Sequence, residues 1–229
     1  AMDLNFCVEL SKKVRELEAS SRAIVLTGQG KIFSAGVDLP QLLDGSVDYV
    51  RQFLPALDEV FETLFFCSKP LVAAVNGHAI AGGCLLTCCA DRRLMAAGKA
   101  QIGVPELRVG VPFPTVALEI MRARTKPDFI AEVILDAATY APAEALQRGL
   151  IDAIVEPEQL LTEAIAAAES LAAIRPNIFA FSKQQLRQPV RVAIAARSKA
   201  QAAELYAIWE SADTHAAVSE FVARTFKKP

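Results

Sequence analysis

The chain has 229 residues, 53% of them apolar, and a formal net charge of −2 at neutral pH. That is enough apolar material for a substantial core, and it leaves no basic field or aromatic-interleaved basic patch for nucleic acid. No stretch reaches the roughly 18 uninterrupted apolar residues that span a bilayer, because Asn76, His78 and Asp91 interrupt the longest one. We therefore expect a soluble protein with neither nucleic acid nor membrane among its partners.

In chain order, residues 3–18 place Leu4, Val8, Val14 and Leu17 at helical spacing and lead into a short buried strand over 23–27. Residues 47–66 form a second long helical pattern, with a break or kink expected at Pro55. Pro70 opens a strand whose residues 71–75 are small or β-branched and apolar on both faces, as in a strand buried on both sides. The run breaks at Asn76-Gly77 and again at Gly82-Gly83, then resumes as a helix from Cys84. A strand at 93–97, a turn at Gly98 and a short strand at 101–103 follow, then helices over 115–124, 127–135 and 142–148 and a strand over 151–155. From Pro157 onward the chain reads as alanine-rich helix with breaks near Pro176 and Pro189. Strands alternating with helices argue for an α/β fold, and periodicity alone points to a doubly wound parallel sheet.

The five cysteines, Cys7, Cys67, Cys84, Cys88 and Cys89, lie mostly in apolar surroundings and read as reduced core thiols. No C-x-x-C occurs, and His78 and His215 are the only histidines, so no metal site is expected. A Cys84 nucleophile with His78 as base lacks an orienting partner, and His78 reads as a loop histidine.

Two glycine-bearing junctions stand out, 28–39 after the first strand and 76–83 after the strand that Pro70 opens. Taken singly, each is read as a tight turn. The second also opens a helix, where the first backbone N–H groups have no partner inside the helix and favour negative charge. Together they carry a resemblance. Residues 26–39 follow the pattern L-T-G-x-G-x-x-F-x-A-G-x-D-L and residues 69–83 follow K-P-x-x-x-A-x-x-G-x-x-x-x-G-G. With Ala90-Asp91-Arg92, Gly103-Val104-Pro105-Glu106, Gly110 and the 143–152 segment, the chain resembles the crotonase superfamily of enoyl-CoA hydratases and isomerases over nearly its whole length.

The resemblance implies a right-handed spiral of ββα turns over residues 1–156 and a helical trimerisation region over 157–229, assembled as a homotrimer or a dimer of trimers. In the family a strand or hairpin that helps hold CoA precedes the position of Ala1-Met2, so a truncated N-terminus is expected. The sequence shows no leader, which points to the cytoplasm. The substrate implied is an acyl-CoA thioester, with coenzyme A part of the substrate and no separate cofactor.

The family's chemistry passes through a thioester enolate, and the resemblance assigns the stabilising backbone donors to Val37 and Gly82. Glu106 takes the position of the later catalytic glutamate, where Val104, Pro105 and Leu107 would strip it of water and raise its pKa. Ala35, Asp38, Leu39 and Ile80, with Ala79, are expected beside the pantetheine. Lys183 is the candidate for the CoA phosphates, although such a lysine is commonly just solvated, and Asp38 can also cap the following helix. Pro112, Phe113 and Pro114 suggest a rigid wall for an acyl chain.

The departure is at Leu85. Hydratases of the family carry their first glutamate directly after the Gly-Gly-Cys segment, and here Leu85 follows Gly82-Gly83-Cys84. The aspartate that dehalogenases, hydroxyacyl-CoA hydrolases and dienoyl-CoA isomerases use, about two turns beyond Glu106, is replaced by the 110–114 stretch. A single base suits moving a double bond, so isomerisation of a 3-enoyl-CoA to a 2-enoyl-CoA is the first reading. Hydration with Glu106, alone or with an acid outside the motif, is the second, and a weakly catalytic acyl-CoA-binding homologue is the third.

Overall fold

The computed structural model describes residues 1–226. Helix α1 (Leu4–Ser20) is capped by Asp3, whose carboxylate accepts the Phe6 N–H at 2.6 Å. Its buried face is Cys7, Ser11 and Val14. Strand β1 (Ile24–Thr27), strand β2 (Ile32–Ser34) and helix α2 (Leu39–Asp44) follow. Helix α3 (Val47–Phe66) is capped by Ser46 and buries Phe53, Leu57, Phe61 and Phe65 at helical spacing.

Strand β3 (Leu71–Val75), strand β4 (His78–Ile80) and helix α4 (Gly82–Cys88) make the next turn, and strand β5 (Arg92–Ala96), strand β6 (Ile102–Gly103) and helix α5 (Glu106–Val109) the one after. Helix α6 (Thr115–Arg124) and a 3-10 turn at Pro127–Phe129 lead into α7 (Ile130–Leu135), then strand β7 (Thr139–Tyr140), helix α8 (Pro142–Arg148) and strand β8 (Ala153–Val155). Helices α9 (Leu160–Ala172), α10 (Pro176–Trp209) and α11 (Ala212–Phe226) complete the chain.

Each of the first three strand pairs gives one strand to each of two sheets. One sheet has the order β1-β3-β5-β8, all parallel, and the other β2-β4-β6-β7, parallel except for the antiparallel β6–β7 pair. This is the coiled ββα arrangement, not the single doubly wound sheet that periodicity favours. The strands of the second sheet are two or three residues long, too short for alternation to register. His78 accordingly lies in a strand, where its Nδ1 accepts the Gln101 N–H at 3.2 Å, instead of in a loop.

The apolar faces sort into two cores. Val72, Ala74, Leu94, Ala96 and Val155 of the first sheet pack beneath α9 through Leu160, Ala164 and Ala168. The larger core gathers α3, α4 and α6 around β3 and extends to Val190, Ile194, Trp209 and Val218 of the C-terminal helices. An Arg197–Glu119 ion pair and a Thr115–Gln201 hydrogen bond also tie α10 to α6.

Neither Pro55 nor Pro189 interrupts its helix, contrary to the breaks read from sequence. Both prolines are solvent-exposed, as are Arg51 and Gln185 four residues earlier, so the carbonyl that loses its partner is open to water. Pro176 does set a boundary, as the first residue of α10.

Candidate functional site

The two glycine junctions meet at one pocket of about 940 Å3, its open mouth included. The β2–α2 junction contributes Ala35, Val37 and Leu39, and the β4–α4 junction contributes Ile80, Ala81, Gly82 and Leu85. Gly36 allows the approach. Its φ is +82°, and a Cβ there would sit 2.8 Å from the Ile80 oxygen and 3.3 Å from the Gly82 nitrogen.

Met2 holds the first junction in place. Its N–H donates to the Gly36 carbonyl at 2.7 Å and its carbonyl accepts the Asp38 N–H at 3.0 Å, a parallel bridge opposite Val37. That pattern uses the neighbours of Val37 and leaves its own N–H outside the bridge. In the second junction Ala81 has φ 54° and ψ −121°, a costly conformation for a residue with a Cβ. It is fixed on both sides, because its N–H donates to the Gly103 carbonyl and its carbonyl accepts from Cys84 and Leu85. Neither the Val37 N–H nor the Gly82 N–H donates a hydrogen bond among the described residues. Two such donors at the edge of one pocket can serve a carbonyl oxygen that gains negative charge.

Glu106 opens α5 and lines the same pocket with Pro105, Val109 and Val111. The residue is half-buried overall, but its Oε2 is out of solvent contact and has no hydrogen-bond partner. Burial pushes its acid up to about 8, opposed by a hydrogen bond from its own backbone. A carboxyl group poised in this range can take up and release a proton near neutral pH. Leu85, 1% exposed, lines the pocket as plain hydrocarbon.

The family model described as Enoyl-CoA hydratase/isomerase matches residues 1–227. The chain belongs to the enoyl-CoA hydratase/isomerase family. A mitochondrial enoyl-CoA hydratase of Pongo abelii is 30% identical over 92% of this chain and 71% of its own length. Human mitochondrial enoyl-CoA delta isomerase 1 is 29% identical over 82% of this chain and 64% of its own length. The crystal structure of human mitochondrial delta3-delta2-enoyl-CoA isomerase superposes with a TM-score of 0.94 at 24% identity, covering 99% of this chain and 90% of that one. That likeness establishes the crotonase fold of this family member.

The other expected site residues divide. Ala35, Leu39 and Ile80 line the pocket, whereas Ala79 is fully buried in β4. Asp38 takes its capping role, accepting the Gln41 N–H at 3.0 Å, and is absent from the lining. Lys183 is corrected. Its ammonium is buried and donates to Asp91 Oδ2 at 2.7 Å and to the Lys69 carbonyl at 2.8 Å, so it is neither solvated nor at the pocket. Arg187 grips the other oxygen of Asp91 at 2.6 Å. Of the expected acyl wall Pro114 reaches the pocket, while Phe113 packs against the core instead.

Sequence reasoning missed the far side of the pocket. Leu57 and Phe61 come from α3, and Trp209, Phe221 and Thr225 from the C-terminal helices. The lone tryptophan at the end of an alanine-rich helix was the available signal. All five cysteines are buried and unpaired in disulfides. Among the described residues no group of three His, Cys, Asp or Glu side chains could hold a metal.

Proposed function

We propose that the protein isomerises a 3-enoyl-CoA to the 2-enoyl-CoA with Glu106 as its single base. The thioester oxygen lies between the Val37 and Gly82 N–H groups. Glu106 removes a proton from the carbon next to the carbonyl, and the electron pair delocalises both onto that oxygen and through the double bond to its far carbon. The same carboxyl group then returns the proton to the far end of the former double bond. Atoms balance without water, metal or a redox partner, and coenzyme A enters only as part of the substrate.

The observation that carries this reading is that Glu106 is the only titratable side chain among the described residues lining the pocket, where Leu85 also stands. Hydration is helped by two carboxylates that bind and activate one water, and a leucine can do neither. The match to a hydratase-named relative at 30% identity favours hydration as the second reading. The test is formation of conjugated thioester absorbance from a 3-enoyl-CoA, with Glu106→Gln as control. Absorbance that forms equally fast with the variant excludes Glu106 as the base.

We further propose assembly as a homotrimer or dimer of trimers through the C-terminal helices. Exposed apolar side chains support this, namely Ile178, Phe181, Leu186 and Val192 on α10 and Leu161 and Ile165 on α9. Sedimentation at micromolar concentration tests it, and a monomer would contradict it.

A further inference from the structure

Met2 is fully buried and belongs to the larger core, so its plain reading is one more filler of that core. Its contacts are more specific. The main chain brackets Val37, with the Met2 N–H donating to the Gly36 carbonyl at 2.7 Å and the Met2 carbonyl accepting the Asp38 N–H at 3.0 Å. The side chain crosses to the other junction, where a Cβ on Gly82 would meet the Met2 sulfur at 2.7 Å and its terminal methyl at 3.6 Å. One residue therefore touches both segments that offer an N–H to the pocket.

The gap between those two donors depends on packing. The strand pairing that joins the junctions, β2 with β4, ends at Ser34 and Ala79, before either donor is reached. Beyond it the segments meet by contact: a Cβ on Gly36 would stand 2.8 Å from the Ala81 Cβ and 3.3 Å from the Gly82 nitrogen. The Met2 thioether fills the space beside Gly82. Without it a void would open there, next to Ala81, whose backbone is held in a costly conformation and gains by relaxing.

We infer that Met2 is a positioning residue of the anion site: its main chain holds the Val37 side, its thioether supports the Gly82 side, and together they set the distance between the two N–H groups. The inference rests on the enolate reading of this site and adds the residue that keeps its geometry.

The test compares two variants of the full chain. Met2→Val keeps the main-chain bridge and the stem but removes the sulfur and the terminal methyl, whereas Met2→Leu returns a methyl group one bond beyond Cγ, where the sulfur stands. Each is assayed for turnover of a 3-enoyl-CoA and, at saturation, for the near-ultraviolet absorbance of the enolate of acetoacetyl-CoA, a β-keto thioester that ionises where its oxygen is stabilised. Met2→Val is expected to lower kcat about tenfold, short of the roughly 100-fold that a displacement of about 1 Å can cost, with KM held within about twofold. The enolate fraction of the bound ligand is expected to fall with it. Met2→Leu is expected to stay within about threefold of wild type on both readouts, because it conserves the volume. A loss of packing alone would lower the melting temperature and leave the enolate fraction unchanged.

A folded Met2→Val with wild-type kcat and enolate fraction overturns the inference, as does a fall in kcat without loss of enolate. Equal losses in both variants overturn it as well, since the filled space would then not be what matters. A wild type that neither isomerises the 3-enoyl-CoA nor forms the enolate overturns the enolate reading itself, and the inference falls with it.

Discussion

Gly36 and Gly82 lie in contact across the two junctions: a Cβ on Gly82 would stand 3.7 Å from the Gly36 Cα and 2.7 Å from the Met2 sulfur. The positions are 46 residues apart in the sequence, and the contact puts the Val37 and Gly82 N–H groups at one pocket. Gly36→Ala would have to adopt a positive φ and displace the Ile80 carbonyl or the Gly82 nitrogen. We expect kcat to fall by about 100-fold or more, the scale of losing one such donor. Steady-state kinetics beside circular dichroism checks this, and a folded variant of unchanged kcat would mean that the junction geometry is not used.

On the proposed reading, the acid of Glu106, pushed up to about 8 by burial, governs the pH dependence. A base must be deprotonated, so kcat/KM is expected to rise with pH to a plateau above about 8. A profile already flat from pH 5.5 upward would show that the titrating base is an ordinary solvated carboxylate.

Leu85→Glu places a second acid in the pocket beside Glu106. We expect loss of 2-enoyl-CoA absorbance through hydration to rise at least about tenfold over the wild type, within the range of one added acid–base group. Burying a carboxyl there is expected to lower the melting temperature as well. A stable, folded variant without any gain in hydration would show that Leu85 does not decide between the two reactions.

Asp58 is a stability device of the opposite kind. Burial, aided by the charge of Glu62, raises its acid from 3.8 to about 7. Below about 4 both folded and unfolded chains hold the proton, and nothing is lost. Between about 4 and 7 the unfolded chain gives it up while the folded chain keeps it, so stability falls as pH rises, and above 7 the full deficit remains. Asp58→Asn is expected to be on the order of 2 kcal/mol more stable at pH 8 and no better near pH 4. Urea unfolding at the two pH values reads the difference, and an advantage independent of pH would assign it to packing.

How far the sequence can be read follows from the range of each signal. The glycine junctions were legible because their spacing is local and each follows a strand, fully buried in β3 but only partly buried in β1, contrary to the buried strand expected there, and Glu106 and Leu85 inherit their register from those junctions. Of the second sheet only the short strand at 101–103 was legible, since β2, β4 and β7 are two or three residues each and stand by pairing alone. Lys183 was misplaced because its partner, Asp91, is 92 residues away, and nothing local distinguishes a buried lysine from a solvated one. Trp209, Phe221 and Thr225 were missed for the same reason: Trp209 reaches the pocket because α10 packs on α6 and α3, and Phe221 and Thr225 because α11 folds back over α2 and α5.

The central claim, one base and no second acid, is tested most directly by giving the same preparation a 3-enoyl-CoA and a 2-enoyl-CoA in parallel and following conjugated thioester absorbance. The account predicts that absorbance appears from the 3-enoyl substrate, persists with the 2-enoyl substrate, and fails to appear with Glu106→Gln. Rapid loss of absorbance from the 2-enoyl substrate, with none formed from the 3-enoyl substrate, would contradict it.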